Sequence, residues 1–200
     1  MIEDQARENI AFIRRAIEEG SAYATASSPV MLVWGVAVAV GYLGTWGFIR
    51  GWSPVGPGAL WAACMGLPWL FSLRRMAIGP AGGRLSHPGP MAQALRMLWL
   101  GCAVVLTTLA VAAMWTGDDR SGWFNAVFAG VMGIGFFASA GLTRLPWLRW
   151  VGIAWWLGEL ALIALRHRAE ALPLSAALTL LLLAGPGYVL MARRPRSAEA

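Results

Sequence analysis

The sequence contains no lysine, and all sixteen of its Lys/Arg-type residues are arginines. A chain without lysine cannot form a Schiff base with retinal or with a carbonyl substrate, which excludes lysine-dependent covalent catalysis. Only 13% of the 200 residues are charged, against about 25% in soluble domains. So few charged groups cannot cover a water-soluble surface, and this composition indicates a membrane protein.

Cysteine and histidine are almost as scarce. Cys64 and Cys102 are the only cysteines and form no C-x-x-C pair, so they are expected to be small buried residues. His87 and His167 lie in separate loops, and no H-E-x-x-H, G-x-S-x-G or phosphate-binding loop occurs. The sequence therefore predicts no catalytic residues, no cofactor site, no metal site and no enzymatic activity.

Long apolar blocks dominate what is present. A helix needs about 20 residues to cross about 30 Å of hydrocarbon, and a backbone in lipid must satisfy its own polar groups. We therefore predict an all-α polytopic membrane protein with six transmembrane helices. The blocks comprise residues 29–49, 57–73, 95–115, 122–143, 147–165 and 172–192.

The arginines predict the orientation of these helices. With a cytoplasmic N-terminus, twelve arginines fall inside and four outside, as the positive-inside rule favours. Nine tryptophans near the predicted helix ends form two aromatic belts, whereas Trp155 and Trp156 lie near the midplane. We predict a protein of the bacterial inner membrane with both termini cytoplasmic. The scattered arginines indicate the lipid bilayer as a partner and no nucleic acid.

Residues 1–22 differ from the blocks that follow. Their apolar residues recur at helical spacing, which predicts an amphipathic helix, with Gly20 as its end and Pro29 as the first residue of the next helix. Five acids accompany three arginines, a mixture that favours docking on protein over a lipid surface. The surface could be its own bundle, a second copy or a partner. The candidate docking residues are Ile10, Ile13, Arg14, Arg15 and Ile17.

Glycines suggest an internal repeat. Three of them align in the odd-numbered blocks, and three in the even-numbered blocks each precede an arginine by nine residues. This pattern predicts three helical hairpins. The aligned glycines are Gly35, Gly101 and Gly152 in the odd blocks, and Gly66, Gly135 and Gly185 in the even blocks.

Three hairpins in a chain of this size resemble the HdeD-type family of small bacterial inner-membrane proteins over about residues 30–194. The resemblance rests on the helix pattern and on glycine and tryptophan placement, and it implies a role connected to acid stress without established catalysis. The opening "ENIAFIRRAIE" at residues 8–18 is outside that pattern. It resembles the start of uncharacterised bacterial multi-pass proteins.

The stretch "WWLGELALIALRHR" places one carboxylate, Glu159, inside an apolar block. When the repeats are aligned, Glu159 matches Tyr42 in the first block and Thr108, which follows Thr107, in the third block. All of them lie at a similar predicted depth in the membrane. These four residues are predicted to form an intramembrane polar cluster. A protonated Glu159 could fix helix register through a hydrogen bond, or the acid could titrate in proton or ion transport.

Small residues four apart line the fourth block. Such pairs let a second helix backbone approach closely, either within the chain or in a homo-oligomer. The predicted packing seam comprises Ala126, Ala129, Gly130, Gly133, Gly135 and Ser139.

These patterns divide the chain into a cytoplasmic amphipathic helix (1–22), a six-helix transmembrane domain (29–192) and a cytoplasmic tail (193–200). With so few groups capable of chemistry, the sequence favours a non-enzymatic accessory, regulatory or structural subunit. Such a subunit would act through helix packing with a protein partner or as a homo-oligomer. The alternative is a small proton-linked transporter or channel that uses Glu159.

Overall fold

The computed structural model describes residues 2–78, 89–116 and 121–193, and in these ranges it holds helices and turns but no strand. The predicted all-helical class is confirmed. A π-helical turn, Leu180–Ala184, joins the last two helices into one rod. The helices are α1 (Ile2–Ile49), α2 (Pro57–Ile78), α3 (Pro90–Thr116), α4 (Ser121–Leu142), α5 (Leu148–Ala164), α6 (Ala171–Thr179) and α7 (Gly185–Ala192).

Four helical stretches are long and apolar enough to cross a membrane. They are Glu18–Ile49, Pro90–Ala112, Trp123–Leu142 and Ala171–Ala192. Neither α2, with 22 residues, nor α5, with 17, is among them. The structure therefore supports a membrane protein with four spanning helices, while six crossings stay a prediction.

Three segments lie outside the described residues. They are the connection between α2 and α3, which contains His87, the connection between α3 and α4, and most of the predicted cytoplasmic tail. The residues in question are 79–88, 117–120 and 194–200.

The N-terminal segment and the first span form a single 48-residue helix, α1. The predicted helix end at Gly20 is wrong, and so is the predicted helix start at Pro29, because both residues lie inside α1. Glycine lowers the stability of a helix interior without preventing it. Here Gly20 meets the end of α4, where a Cβ atom would lie 2.8 Å from the Leu142 carbonyl oxygen.

A serine explains how α1 continues past its proline. Pro29 has no N–H to donate to the Thr25 carbonyl one turn earlier. The Ser28 hydroxyl donates to that carbonyl oxygen instead, at 2.7 Å. Since Ser28 is completely buried, the same bond also satisfies its hydroxyl group, which water could not reach.

Five helical rods close into a ring. Following the packing contacts, α1 touches α3, α3 touches α4, α4 touches α5, α5 touches α6, and the α6–α7 rod returns to α1. The remaining helix, α2, makes its substantial contacts with α1 alone. Those contacts include hydrogen bonds from the Trp34 indole to Ser72 and from the Trp61 indole to Thr45, each at 3.0 Å.

One close crossing in this ring joins α1 to the π-helical turn and to α7. A Cβ atom on Gly35 would lie 2.6 Å from the backbone nitrogen of Ala184, and one on Gly187 would lie 2.8 Å from the backbone nitrogen of Leu32. Real Cβ atoms do not approach backbone so closely. The two rods can therefore touch only because these positions carry no side chain.

At its C-terminal end, α1 stops in a turn that contains a glycine. Gly51 adopts a positive φ of 73°, while Trp52 N–H donates to the Gly47 carbonyl and Gly51 N–H to the Phe48 carbonyl. These two bonds form a Schellman motif, which requires a left-handed residue that glycine supplies without strain. The turn directs the chain back along α1 as α2.

The three-hairpin repeat stays a prediction, although the two helices of each predicted hairpin do touch: α1 and α2, α3 and α4, α5 and α6. The most extensive helix contact joins α4 to α5, which belong to different predicted hairpins. The three aligned glycines of the odd blocks have unlike surroundings: Gly35 meets Ala184, Gly152 meets α4, and Gly101 has open space beside it.

Candidate functional site

The carboxylate of Glu159 lies against the fourth helix. A Cβ atom on Gly130 would be 2.8 Å from Glu159 Oε1, so only a glycine at this position leaves room for the acid in its present place. The carboxylate has no hydrogen bond or ion pair among the residues that the structure describes. Glu159 itself is partly exposed.

The side chain of Trp156 packs on the same part of α4. Its indole nitrogen donates to the Gly130 carbonyl oxygen at 3.3 Å, and its ring covers Gly133. One turn further along, Gly152 comes within contact of the Gly133 carbonyl, since a Cβ atom there would lie 2.9 Å from that oxygen. Glycines on both helices thus allow α4 and α5 to pack closely beside Glu159.

The other members of the small-residue seam face different neighbours. Ala126 and Ala129 are buried in the core, and Gly135 packs against the ring of Trp99 on α3. The Trp99 indole donates to the Ser139 hydroxyl at 3.1 Å. The seam therefore packs within the chain, with Gly130 and Gly133 toward α5 and Gly135 and Ser139 toward α3.

The structure does not join the four residues of the predicted polar cluster through hydrogen bonds. The Tyr42 hydroxyl is buried without a hydrogen-bond partner among the described residues, and its ring lies edge-on to Trp61 and Phe128. Thr108 is exposed and Thr107 half-buried on α3. Because α5 packs on α4 and α6 rather than on α1 or α3, Glu159 has different neighbours from the other three residues of the predicted cluster.

Sequence reasoning missed the role of Trp155. This residue is 1% exposed, and its indole nitrogen donates to the Leu182 carbonyl oxygen at 3.2 Å. That carbonyl lies four residues before Pro186, which has no N–H to offer it. The sequence contains both signals for this contact, namely the proline of "AGPGYV" and the two tryptophans near the midplane. Only the fold shows that Trp155 and the carbonyl left open by this proline lie together.

A second missed residue is Asn125 on α4. Its side chain is buried one turn before Phe128, whose ring lies 6.4 Å from that of Tyr42. A buried carboxamide inside an apolar block is a polar group that the helix must accommodate. The lone asparagine of the fourth block was its signal in the sequence.

The N-terminal part of α1 presents an exposed surface. Ile10 is 66% exposed, and Gln5, Arg7, Ala11, Glu18 and Glu19 are exposed as well. The side chains of the other four candidate docking residues lie outside what the structure describes. These are Ile13, Arg14, Arg15 and Ile17.

A small cavity lies where α1, α3, α4, α7 and the first residue of α5 meet. Its volume is about 20 Å³, and its lining includes Tyr23, Ser27, Trp99 and Ser139. A single water molecule needs at least about 10–15 Å³ measured in this way. The cavity therefore has the size of a water site and not of a substrate site.

No family model, no curated protein and no solved structure matches this chain. Among the residues that the structure describes, no group of three histidine, cysteine or acidic side chains is placed to hold a metal ion.

Proposed function

We propose that this chain is a six-span protein of the bacterial inner membrane, with both termini cytoplasmic and a non-enzymatic accessory or regulatory role. It acts by binding a protein partner through residues 2–19, the N-terminal part of α1. We refer to these residues as the docking segment.

Contacts at the two ends of the bundle support six crossings. Arg50 and Glu170, both outside in this topology, approach to 3.9 Å, and the Arg166 guanidinium lies 5.7 Å from the ring of Trp123 on the same side. Gly20 and Leu142, both inside, also meet. Such pairings fit neighbouring helices that alternate in direction, with α2 and α5 as the remaining two crossings.

The observation that carries the functional proposal is the continuity of α1. Its 48 residues span about 72 Å at 1.5 Å per residue, more than twice the hydrocarbon thickness. Its membrane stretch begins at Glu18, so the docking segment extends about 25 Å beyond it. A partner bound there is connected to the first span by unbroken helix, and its movement is transmitted to the bundle.

The chemistry of the docking segment favours protein as its partner. Every side chain that the structure describes between residues 2 and 19 is exposed. Five acids outnumber three arginines in this segment. An anionic lipid surface would repel this balance, whereas a protein can match both signs of charge along a helix face.

The test is purification from the native host in mild detergent, followed by mass determination of the intact complex. We expect a second protein in stoichiometric amount with the unaltered chain. Charge reversal by Arg14→Glu and Arg15→Glu should remove that protein, because it inverts the charge of two of the three arginines in the docking segment.

Arg149→Glu is the matched control, since it reverses an exposed arginine on the same proposed side of the membrane. It should leave the complex intact. A complex that survives the double reversal would contradict docking through this segment, and so would a chain that purifies alone or as a symmetric oligomer.

A further inference from the structure

Glu159 lies at a depth where lipid provides no partner. Its carboxylate touches Gly130, which stands nine residues after Ser121 in the 22-residue helix α4. This places the acid about 14 Å along a helix of about 33 Å. In the six-span arrangement proposed above, that level is close to the middle of the hydrocarbon, where an acid needs a hydrogen bond or an opposite charge.

None of the residues that the structure describes supplies that partner. The indole N–H of Trp156 is bonded to the Gly130 carbonyl, and no described residue pairs with the carboxylate. Two flanking residues are turned away from the bundle: Leu157 is 63% and Leu160 65% exposed. The acid is therefore at the edge of an apolar surface that another helix could cover.

A second copy of this chain could not neutralise the acid either. The sequence has no lysine, and the arginines of its helices lie near their ends or in the docking segment. The arginine nearest to Glu159 along the outer end of α5 is Arg166, which donates to the Ile163 carbonyl and stacks on Trp123. A cation at this depth must come from a different protein.

We propose that Glu159 receives a transmembrane helix of another protein that carries a lysine or arginine near the middle of its span. Gly130 leaves the carboxylate room, while Leu157 and Leu160 on α5 and Val127 on α4, all exposed, offer apolar contact. In hydrocarbon, a cation and an acid that pair remove each other's need for water. This inference rests on the proposed six-span accessory role and adds an intramembrane contact to it.

The probe is a synthetic transmembrane peptide of leucine and alanine with one central lysine, and its control is the same peptide with leucine at that position. Each carries a donor dye, and the full-length protein carries an acceptor in phosphatidylcholine vesicles. Energy transfer reports association. We expect the lysine peptide to bind about tenfold more tightly than the leucine peptide, and Glu159→Gln to abolish that difference.

Glu170→Gln is the matched control because it neutralises an exposed acid outside the spans; it should leave the preference for lysine unchanged. Should the Glu159→Gln protein fail to fold, the comparison of the two peptides on the unaltered protein still decides. Equal binding of both peptides overturns the inference, as does a lysine preference that persists in Glu159→Gln. Neither result affects docking through residues 2–19, which the arginine reversal tests separately.

Discussion

The continuity of α1 predicts a long distance between its docking segment and its membrane stretch. Spin labels on Gln5 and Val36 would occupy two exposed positions that are 31 residues apart. An unbroken helix places them about 46 Å apart at 1.5 Å per residue. Cys64 and Cys102, which are buried and free, would be replaced by alanine so that only the introduced cysteines carry a label.

An amphipathic helix that ended at Gly20 and turned onto the membrane surface would give a different distance. Its two arms, from Gln5 to Gly20 and from Gly20 to Val36, measure about 22 Å and 24 Å. At a right angle they bring the labels to about 33 Å. Pulsed electron paramagnetic resonance in lipid vesicles resolves this difference of about 13 Å.

Labels on Glu18 and Ile49 provide the matched control, since both are exposed, are also 31 residues apart, and enclose the membrane stretch. This pair should give about 46 Å for the unbroken helix and about 44 Å for the turned one, so that it hardly changes between the two arrangements. A distribution centred near 33 Å for Gln5 and Val36, with the control pair unchanged, would refute the rigid connection. It would also refute our proposal that α1 transmits the movement of a bound partner to the bundle.

Three further predictions test the packing and the intramembrane acid. Gly35→Leu should destabilise the protein by at least about 1–3 kcal/mol because its side chain would collide with the backbone of Ala184; thermal unfolding in detergent measures this, and Gly101→Leu, with open space beside it, should have little effect. Trp155→Phe removes the donor to the Leu182 carbonyl and should cost about 0.6–2 kcal/mol in the same assay, whereas the same change at the exposed Trp150 should be nearly neutral. Proton flux into proteoliposomes should be equal for the unaltered protein and for Glu159→Gln; flux that depends on Glu159 would favour the transport alternative over a docking role.

The sequence determined the class of this protein. Apolar blocks and the scarcity of charge predicted helices in a membrane, and every described block of this kind is helical. That prediction succeeds because helix formation in lipid depends on composition and length, which one sequence contains.

The tertiary structure decided the boundaries and the neighbours. Local preference placed a helix end at Gly20 and a start at Pro29, but packing against α4 and the Ser28 hydroxyl bond to the Thr25 carbonyl carry α1 through both. Such compensation comes from side chains and from distant helices, so that propensity at one position cannot reveal it.

The candidate site around Glu159 was likewise predicted in part by the sequence and decided in part by the fold. The sequence identified Glu159 and the small residues of α4, yet it placed the acid beside Tyr42, whereas the fold sets it against Gly130. Depth along a helix can be counted from the sequence. The direction that each helix face takes depends on which helices pack together, and glycine contacts between α4 and α5 decide that only in the folded chain.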